Sequence, residues 1–205
     1  MMSMTPILLR VFSENDLDRI SALAATNFRN LGEKYERYRS KVISVLRNEY
    51  QPSEAYRDTE LREIAAVADV VGHDSRAVMK RLKKACSGCG WCCSQTKRIV
   101  VREEDADRIS HKLKQKRQEL FTQEGKEWVI KKVHPCLWWN PRNGRCSIYY
   151  DRPHTCRSWP LGINDNDLNT VIPQSECNYA VVALAHKTVI LLQALDTGTN
   201  PTAGI

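Results

Sequence analysis

Cys86-Ser87-Gly88-Cys89-Gly90-Trp91-Cys92-Cys93 puts four thiols into eight residues, spaced C-x2-C-x2-C-C. A two-residue gap lets a tight loop point two sulfurs at one ion while backbone amides turn toward them. Gly88 and Gly90 supply the positive φ angles that such a knuckle needs. Three ligands of this kind can hold much of one iron–sulfur cluster, or two pairs can be split between two mononuclear sites. Adjacent Cys92 and Cys93 are expected to point in different directions, which favours two sites, or one ligand backed by another thiol.

Working outward, Cys136, Cys146, Cys156 and Cys177 follow, and none of the eight cysteines lies in the first 85 residues. In a chain with no export signal, clustered cysteines point to metal binding or redox chemistry before structural disulfides. Four upstream and four downstream thiols match two four-thiolate sites, or one such site plus spare ligands. The candidate ligands are Cys86, Cys89, Cys92 and Cys93 as one half and Cys136, Cys146, Cys156 and Cys177 as the other. All-thiolate ligation suits zinc and an iron–sulfur cluster alike. The alternatives are a buried, inert thiol, Cys177 above all, or a disulfide set.

The rest of the chain reads as an α+β, mostly helical protein. Ser13 can cap a helix whose Leu17, Ile20, Leu23 and Ala24 share one apolar face. Phe28, Leu31, Tyr35, Tyr38, Val42 and Val45 continue it, with a break at Gly32. Pro52 interrupts the pattern and Ser53 can cap a second helix from about residue 54 to 71, closed by Gly72. Ser75 can start a short third helix. Residues 98–101 and 128–130 read as strands, and Glu103 to Leu120 as one helix with acids early and bases late. Pro141-Arg142-Asn143-Gly144 signals a hairpin turn before Cys146 to Tyr150. Tyr179 to Leu195 reads as the last helix, with a frayed tail from Asp196. The expected organisation is a helical extension over 1–82, a cysteine-cluster domain over 83–195 and a flexible tail over 196–205.

Composition sets the outer limits. The chain has 205 residues, 27% of them charged and 42% apolar, with a net charge of +7. These values fit a globular protein, not a disordered one. No apolar run is read as reaching the roughly 20 residues of a spanning helix, which excludes a membrane protein. The N-terminus lacks a basic region and a cleavage site, so the expected compartment is the cytoplasm. The charge permits an acidic partner without showing one. The basic run Lys112-x-Lys114-x-Lys116-Arg117 spreads over more than one helix face and has no interleaved aromatics, so nucleic acid is disfavoured. No glycine-rich phosphate loop or G-x-G signature is present, which disfavours a self-contained methylase.

Four blocks carry a family resemblance: Cys86-x2-Cys89-Gly90-x-Cys92-Cys93, Cys136-Leu137, Cys146-Ser147-Ile148-Tyr149, and Arg152-Pro153-x2-Cys156-Arg157. Together they resemble the YkgJ-type cysteine cluster family, described as zinc- or iron-chelating, over residues 86 to about 180. Trp138 and Trp159 stand where a smaller apolar residue or Phe is usual, and Tyr150 where an acid is common. A relative, the flagellin lysine N-methylase, is similar in its cysteine block and is thought to carry an iron–sulfur cluster. The resemblance therefore implies protein modification as one context.

Other candidates carry two readings each. Arg152 and Arg157 can neutralise thiolates or bind an anion, or else pair with Asp151 and cap carbonyls. His134 and His154 are more naturally surface groups or supports than ligands, since eight thiols suffice. His111 and His186 sit in helices with no assigned role. Glu103, Glu104, Asp105 and Asp107 read as a solvated helix start. Trp91, Trp138, Trp139, Tyr149, Tyr150 and Trp159 either shield a cluster or form the small core around it. The functional expectation is metal or iron–sulfur binding through cysteine thiolates. Alternatives are an iron–sulfur enzyme or subunit, and a metal-stabilised interaction module docking a protein through its helical first third.

Overall fold

The computed structural model describes residues 6–71, 75–82, 86–163 and 169–199. The helices are α1 (Glu14–Leu31), α2 (Glu33–Glu49), α3 (Asp58–Val70), α4 (Ser75–Arg81), α5 (Trp91–Gln95), α6 (Glu103–Leu113), α7 (Arg117–Leu120), α8 (His154–Ser158) and α9 (Asn178–Thr197). The strands are β1 (Val100–Val101), β2 (Phe121–Glu124), β3 (Glu127–Ile130), β4 (Trp139–Asn140), β5 (Arg145–Cys146), β6 (Leu161–Ile163) and β7 (Asn169–Val171). The class is α+β and mostly helical, as the sequence indicates. The chain divides into two compact units, Met1–Ala85 with Pro160–Ile205, and Cys86–Trp159. The second unit begins at Cys86 and ends at Trp159. Among the described residues, β6, β7 and α9 join the N-terminal helices, because α9 is their core helix.

In the helical unit, Ser13 caps α1 by accepting the Asp16 N–H at 3.2 Å. Leu17, Ile20 and Ala24 face inward. Gly32 ends α1 with φ +50, a left-handed turn that a side chain would strain, and its N–H closes on the Phe28 carbonyl at 2.8 Å. α2 buries Tyr35, Tyr38, Val42, Ile43 and Leu46. Ser53 is no cap. It is buried in a 3-10 turn, where its hydroxyl donates to the Leu46 carbonyl at 3.2 Å. α3 instead starts after Arg57, whose N–H donates to the Glu60 carboxylate at 2.7 Å. Gly72, expected to close that helix, and residues beyond 199 lie outside the described residues.

α9 corrects the reading that no apolar run is long enough to span a membrane. Its 20 residues pass by length and composition. It packs on α2, α3 and α4, burying Ala180, Ala183, Leu184, Leu192 and Leu195, as a core helix does. It also buries Lys187 and Thr188. The β6–β7 hairpin, unread in the sequence, pairs Leu161 with Val171 and packs against α4. Each strand has three residues, too few for alternation to show.

A buried polar knot ties the helical unit together. Asp69 on α3 is 1% exposed. Its carboxylate accepts from Tyr35 Oη of α2 at 2.8 Å and from Asn27 Nδ2 of α1 at 3.1 Å. Its backbone carbonyl accepts from Thr170 Oγ1 of β7 at 3.0 Å. Burial pushes the Asp69 carboxyl up to about 6, against the pull of Lys187 and of the Tyr35 hydrogen bond. The folded state therefore holds this proton more tightly than the unfolded chain. The stability so contributed is full below about pH 4 and is lost as pH rises through about 6. Between pH 5 and 7 the wild-type melting temperature should fall relative to that of D69N. Parallel profiles for the two proteins over that range would contradict this assignment.

The cysteine-rich unit is built from very short elements. Its sheet has the order β1-β3-β2, all antiparallel, with Val100 opposite Val129 and Phe121 opposite Ile130. β2 was not read from the sequence, and the single helix expected over 103–120 is broken. Lys114 adopts φ +53 and ends α6, with the Gln115 N–H closing on the Ser110 carbonyl at 3.1 Å. α7 restarts where the Glu119 carboxylate accepts the Lys116 N–H at 3.2 Å. The basic run is thereby cut in two. Arg117 pairs with Glu103 and Asp107 and stacks on Trp128 at 4.8 Å, so it is committed within the fold.

Candidate metal centre

Four segments of the cysteine-rich unit converge on one group of sulfurs. α5 carries Cys92 and Cys93 just after Gly90, which holds φ +71. A Cβ at Gly90 would run into the Gly144 carbonyl and approach Trp139 Cδ1 at 3.0 Å, so only glycine lets the loop meet the β4–β5 turn. Cys136 is fastened by its N–H to the Cys93 carbonyl at 2.8 Å. Cys146 ends β5, directly opposite Trp139 of β4. The turn between those strands is set by Asn140 and Asn143, whose side chains accept the N–H of Arg142 at 2.9 Å and of Arg145 at 3.0 Å. Cys156 sits on α8, which Thr155 ties to β1 through a 2.7 Å bond to the Val100 carbonyl.

The Cys93 sulfur is the hub: it interacts with the thiols of Cys136, Cys146 and Cys92, and holding the proton among them pushes its own acidity constant far up. The same interactions lower its partners: Cys92 and Cys146 fall to about 7, and Cys136 falls as well. Backbone amides add to this. The N–H of Trp138 points at the Cys136 sulfur, that of Ile148 at Cys146, and that of Cys93 at Cys92. The first two amides lie two residues after their cysteines, the N–H···S pattern that favours thiolate over thiol. Cys156 lies within Coulombic reach of Cys92, Cys136 and Cys146, and burial raises it to about 12. Around the sulfurs lies the unit's core of Ile99, Ile109, Phe121, Ile130, Trp138 and Ile148.

The thiols are thus grouped across the two sequence blocks, not within them. Cys92 and Cys93 of the first block join Cys136, Cys146 and Cys156 of the second. Cys92 and Cys93 both lie in the first turn of a five-residue helix, and their thiols interact with each other. Cys86 stands beside Tyr149, whose hydroxyl donates to the Cys86 carbonyl at 3.3 Å. Cys89 is exposed. Cys177 belongs to the helical unit, at the N-terminus of α9 and within Coulombic reach of Tyr38.

Among the described residues no three Cys, His, Asp or Glu side chains already surround a point at ligand distance. The donor set nevertheless fits a thiophilic metal. A tetrahedral site with metal–sulfur bonds of about 2.3 Å holds its sulfurs about 3.8 Å apart, so the four sulfurs would draw together around a bound ion. Three of the four already favour the thiolate that metal binding requires. Zinc would add structural stabilisation here, and an iron–sulfur cluster would add electron transfer.

Several roles differ from expectation. Asp105 is not a solvated helix-start residue. It accepts the His154 N–H at 2.6 Å and pairs with Arg108 at 2.6 Å, joining α6 to α8. Burial opposes ionisation, but these two contacts outweigh it and hold the carboxyl below its usual range. His134 and His154 are exposed. Trp138 is core and tilts against Phe121 at 5.9 Å, whereas Tyr150 is 91% exposed and shields nothing.

Residues 85–178 match the family described as "CxxCxxCC: Putative zinc- or iron-chelating domain". The matched stretch includes all eight cysteines. No match was found among curated proteins or among solved structures.

Because Gly90 meets Gly144 while Gly125 (φ +61) has nothing near its missing Cβ, two substitutions separate contact from strain. G125A should cost about 1 kcal/mol for its backbone alone. G90A should cost about 3 kcal/mol or more, adding the forced retreat of the hairpin. Urea unfolding followed by tryptophan fluorescence measures both, and equal losses would show that the Gly90 approach is unimportant.

Proposed function

Starting from the zinc- or iron-chelating family that matches residues 85–178, we propose that the chain binds one metal centre through Cys92, Cys93, Cys136 and Cys146. The observation that carries this reading is the gathering of Cys136 and Cys146, from two other segments, around the adjacent Cys92 and Cys93. Hydrogen-bonded amides at two of those sulfurs support it, since they lower the cost of gathering thiolates. Cys156 stands by as a fifth thiol, and Cys86, Cys89 and Cys177 lie outside the set. A reducing compartment such as the cytoplasm goes with this assignment, because the ligands must stay reduced.

One observation favours a second reading, an iron–sulfur centre in an enzyme or enzyme subunit that modifies a protein or peptide. A groove of about 410 Å³ is lined by Cys86, Gly88, Arg145, Cys146, Tyr149 and Tyr150. With the proposed ligand Cys146 among the lining residues, a molecule bound in a groove of this size would lie beside the centre.

Serine variants of the full chain, purified and reconstituted without oxygen, test the ligand set. C93S, C136S and C146S should each lose most of the bound zinc or iron, with affinity down by about a hundredfold or more. C89S and C177S should keep the wild-type metal content. Metal retained in C93S, or lost in C177S, would refute the assignment. Iron with acid-labile sulfide in the wild type selects the second reading, and colourless stoichiometric zinc removes it.

A further inference from the structure

Arg152 differs from every other arginine in the cysteine-rich unit. Its guanidinium lies over the Tyr149 ring, with Cζ 3.8 Å from the centroid. Its Nε is buried and has no hydrogen-bond partner among the described residues. No carboxylate among them forms an ion pair with it, since the neighbouring Asp151 is paired with Arg108 at 3.7 Å. A buried, unpaired guanidinium N–H carries a desolvation penalty, and such groups persist where something else answers them. The groups within its Coulombic reach are the Tyr149 hydroxyl, with which the guanidinium also interacts directly, and the sulfurs of Cys86, Cys92, Cys146 and Cys156.

The backbone at this position is held from outside. The Arg152 carbonyl accepts from Arg157 Nε at 2.8 Å and from Arg108 Nη2 at 3.4 Å. Arg108 also donates to the Asp151 carbonyl at 2.9 Å and is anchored to Asp105. Two arginines therefore fix the chain at Arg152 by main-chain contacts, and the side chain of the third lies over Tyr149 within Coulombic reach of the thiols. This separates Arg152 and Arg157, which the sequence leaves with the same pair of readings.

Charge explains why such a residue is needed. A divalent ion on four thiolates carries a net charge of about −2, and the divalent core of an oxidised iron–sulfur cluster on four thiolates carries the same. The need for a counter-charge is thus independent of which metal is bound. We propose, resting on the four-thiolate reading above, that Arg152 is a positioning residue whose guanidinium is the built-in counter-cation of the metal–thiolate centre, answering its charge through Nε–H and across Tyr149. It touches no reacting atom. It lowers the cost of assembling four thiolates in a half-buried place and slows loss of the metal.

Full-length R152M, R152K and R157Q, loaded with Zn²⁺ and competed with a chromophoric chelator, test this. Methionine keeps an apolar stem against Tyr149 and loses the charge, whereas lysine keeps the charge and loses the planar fork. R152M should bind the same number of zinc ions with affinity lower by about tenfold to a hundredfold and release them faster. R152K should recover most of that loss, and R157Q should stay near wild type. Wild-type affinity in R152M, or a loss in R152K equal to that in R152M, would overturn the inference. So would a larger loss in R157Q than in R152M. Failure of the underlying four-thiolate reading is distinguishable: in that case the wild type itself takes up no zinc.

Discussion

The meeting of Cys93 with Cys92, Cys136 and Cys146 is the constraint on which the cysteine-rich unit depends. The elements that bring these sulfurs together cannot stand alone. α5 has five residues, β4 and β5 have two each, and α8 has five. A two-stranded hairpin of that length has negligible stability in water, and so has a single helical turn. What holds them is a modest core around Ile109, Phe121, Ile130, Trp138 and Ile148, into which the thiols themselves are packed. A metal bound by those thiols would act as the missing part of that core, and its binding energy would be folding energy.

The helical unit needs no such help. α2, α3 and α9 bury a long run of aliphatic and tyrosine side chains, and Tyr38 reaches across to donate to the Ala180 carbonyl at 3.0 Å. Its buried Asp69 costs stability as an ionised group and is retained as a tie between α1, α2, α3 and β7. Buried polar groups of this kind specify one packing arrangement more than they stabilise it.

Sequence and structure agree wherever one residue type has one physical meaning. The apolar spacing of α1, α2 and α9, the break at Gly32, and the turn at Pro141 to Gly144 were all legible. So was the family resemblance, on blocks that residues 85–178 match. The partition of the eight cysteines was not, because spacing along the chain says which thiols can meet locally and nothing about which segments return to them. β2, β6 and β7 were too short for a period of two to register, and Lys114 carries no mark of its left-handed turn. Arg152 and Asp105 were visible as charges in a motif. Their separate tasks appear only from what lies next to them, sulfurs for the one and the α8 N-terminus for the other.

Metal analysis of the full-length protein made and purified without oxygen, read together with its optical spectrum and a count of reactive thiols, tests the central claim most directly. The account predicts close to one zinc per chain, or iron with sulfide and charge-transfer absorption near 400 nm, with about four of the eight cysteines protected until the metal is removed. A metal-free protein, folded in both units, with all eight thiols reacting at one rate would contradict it.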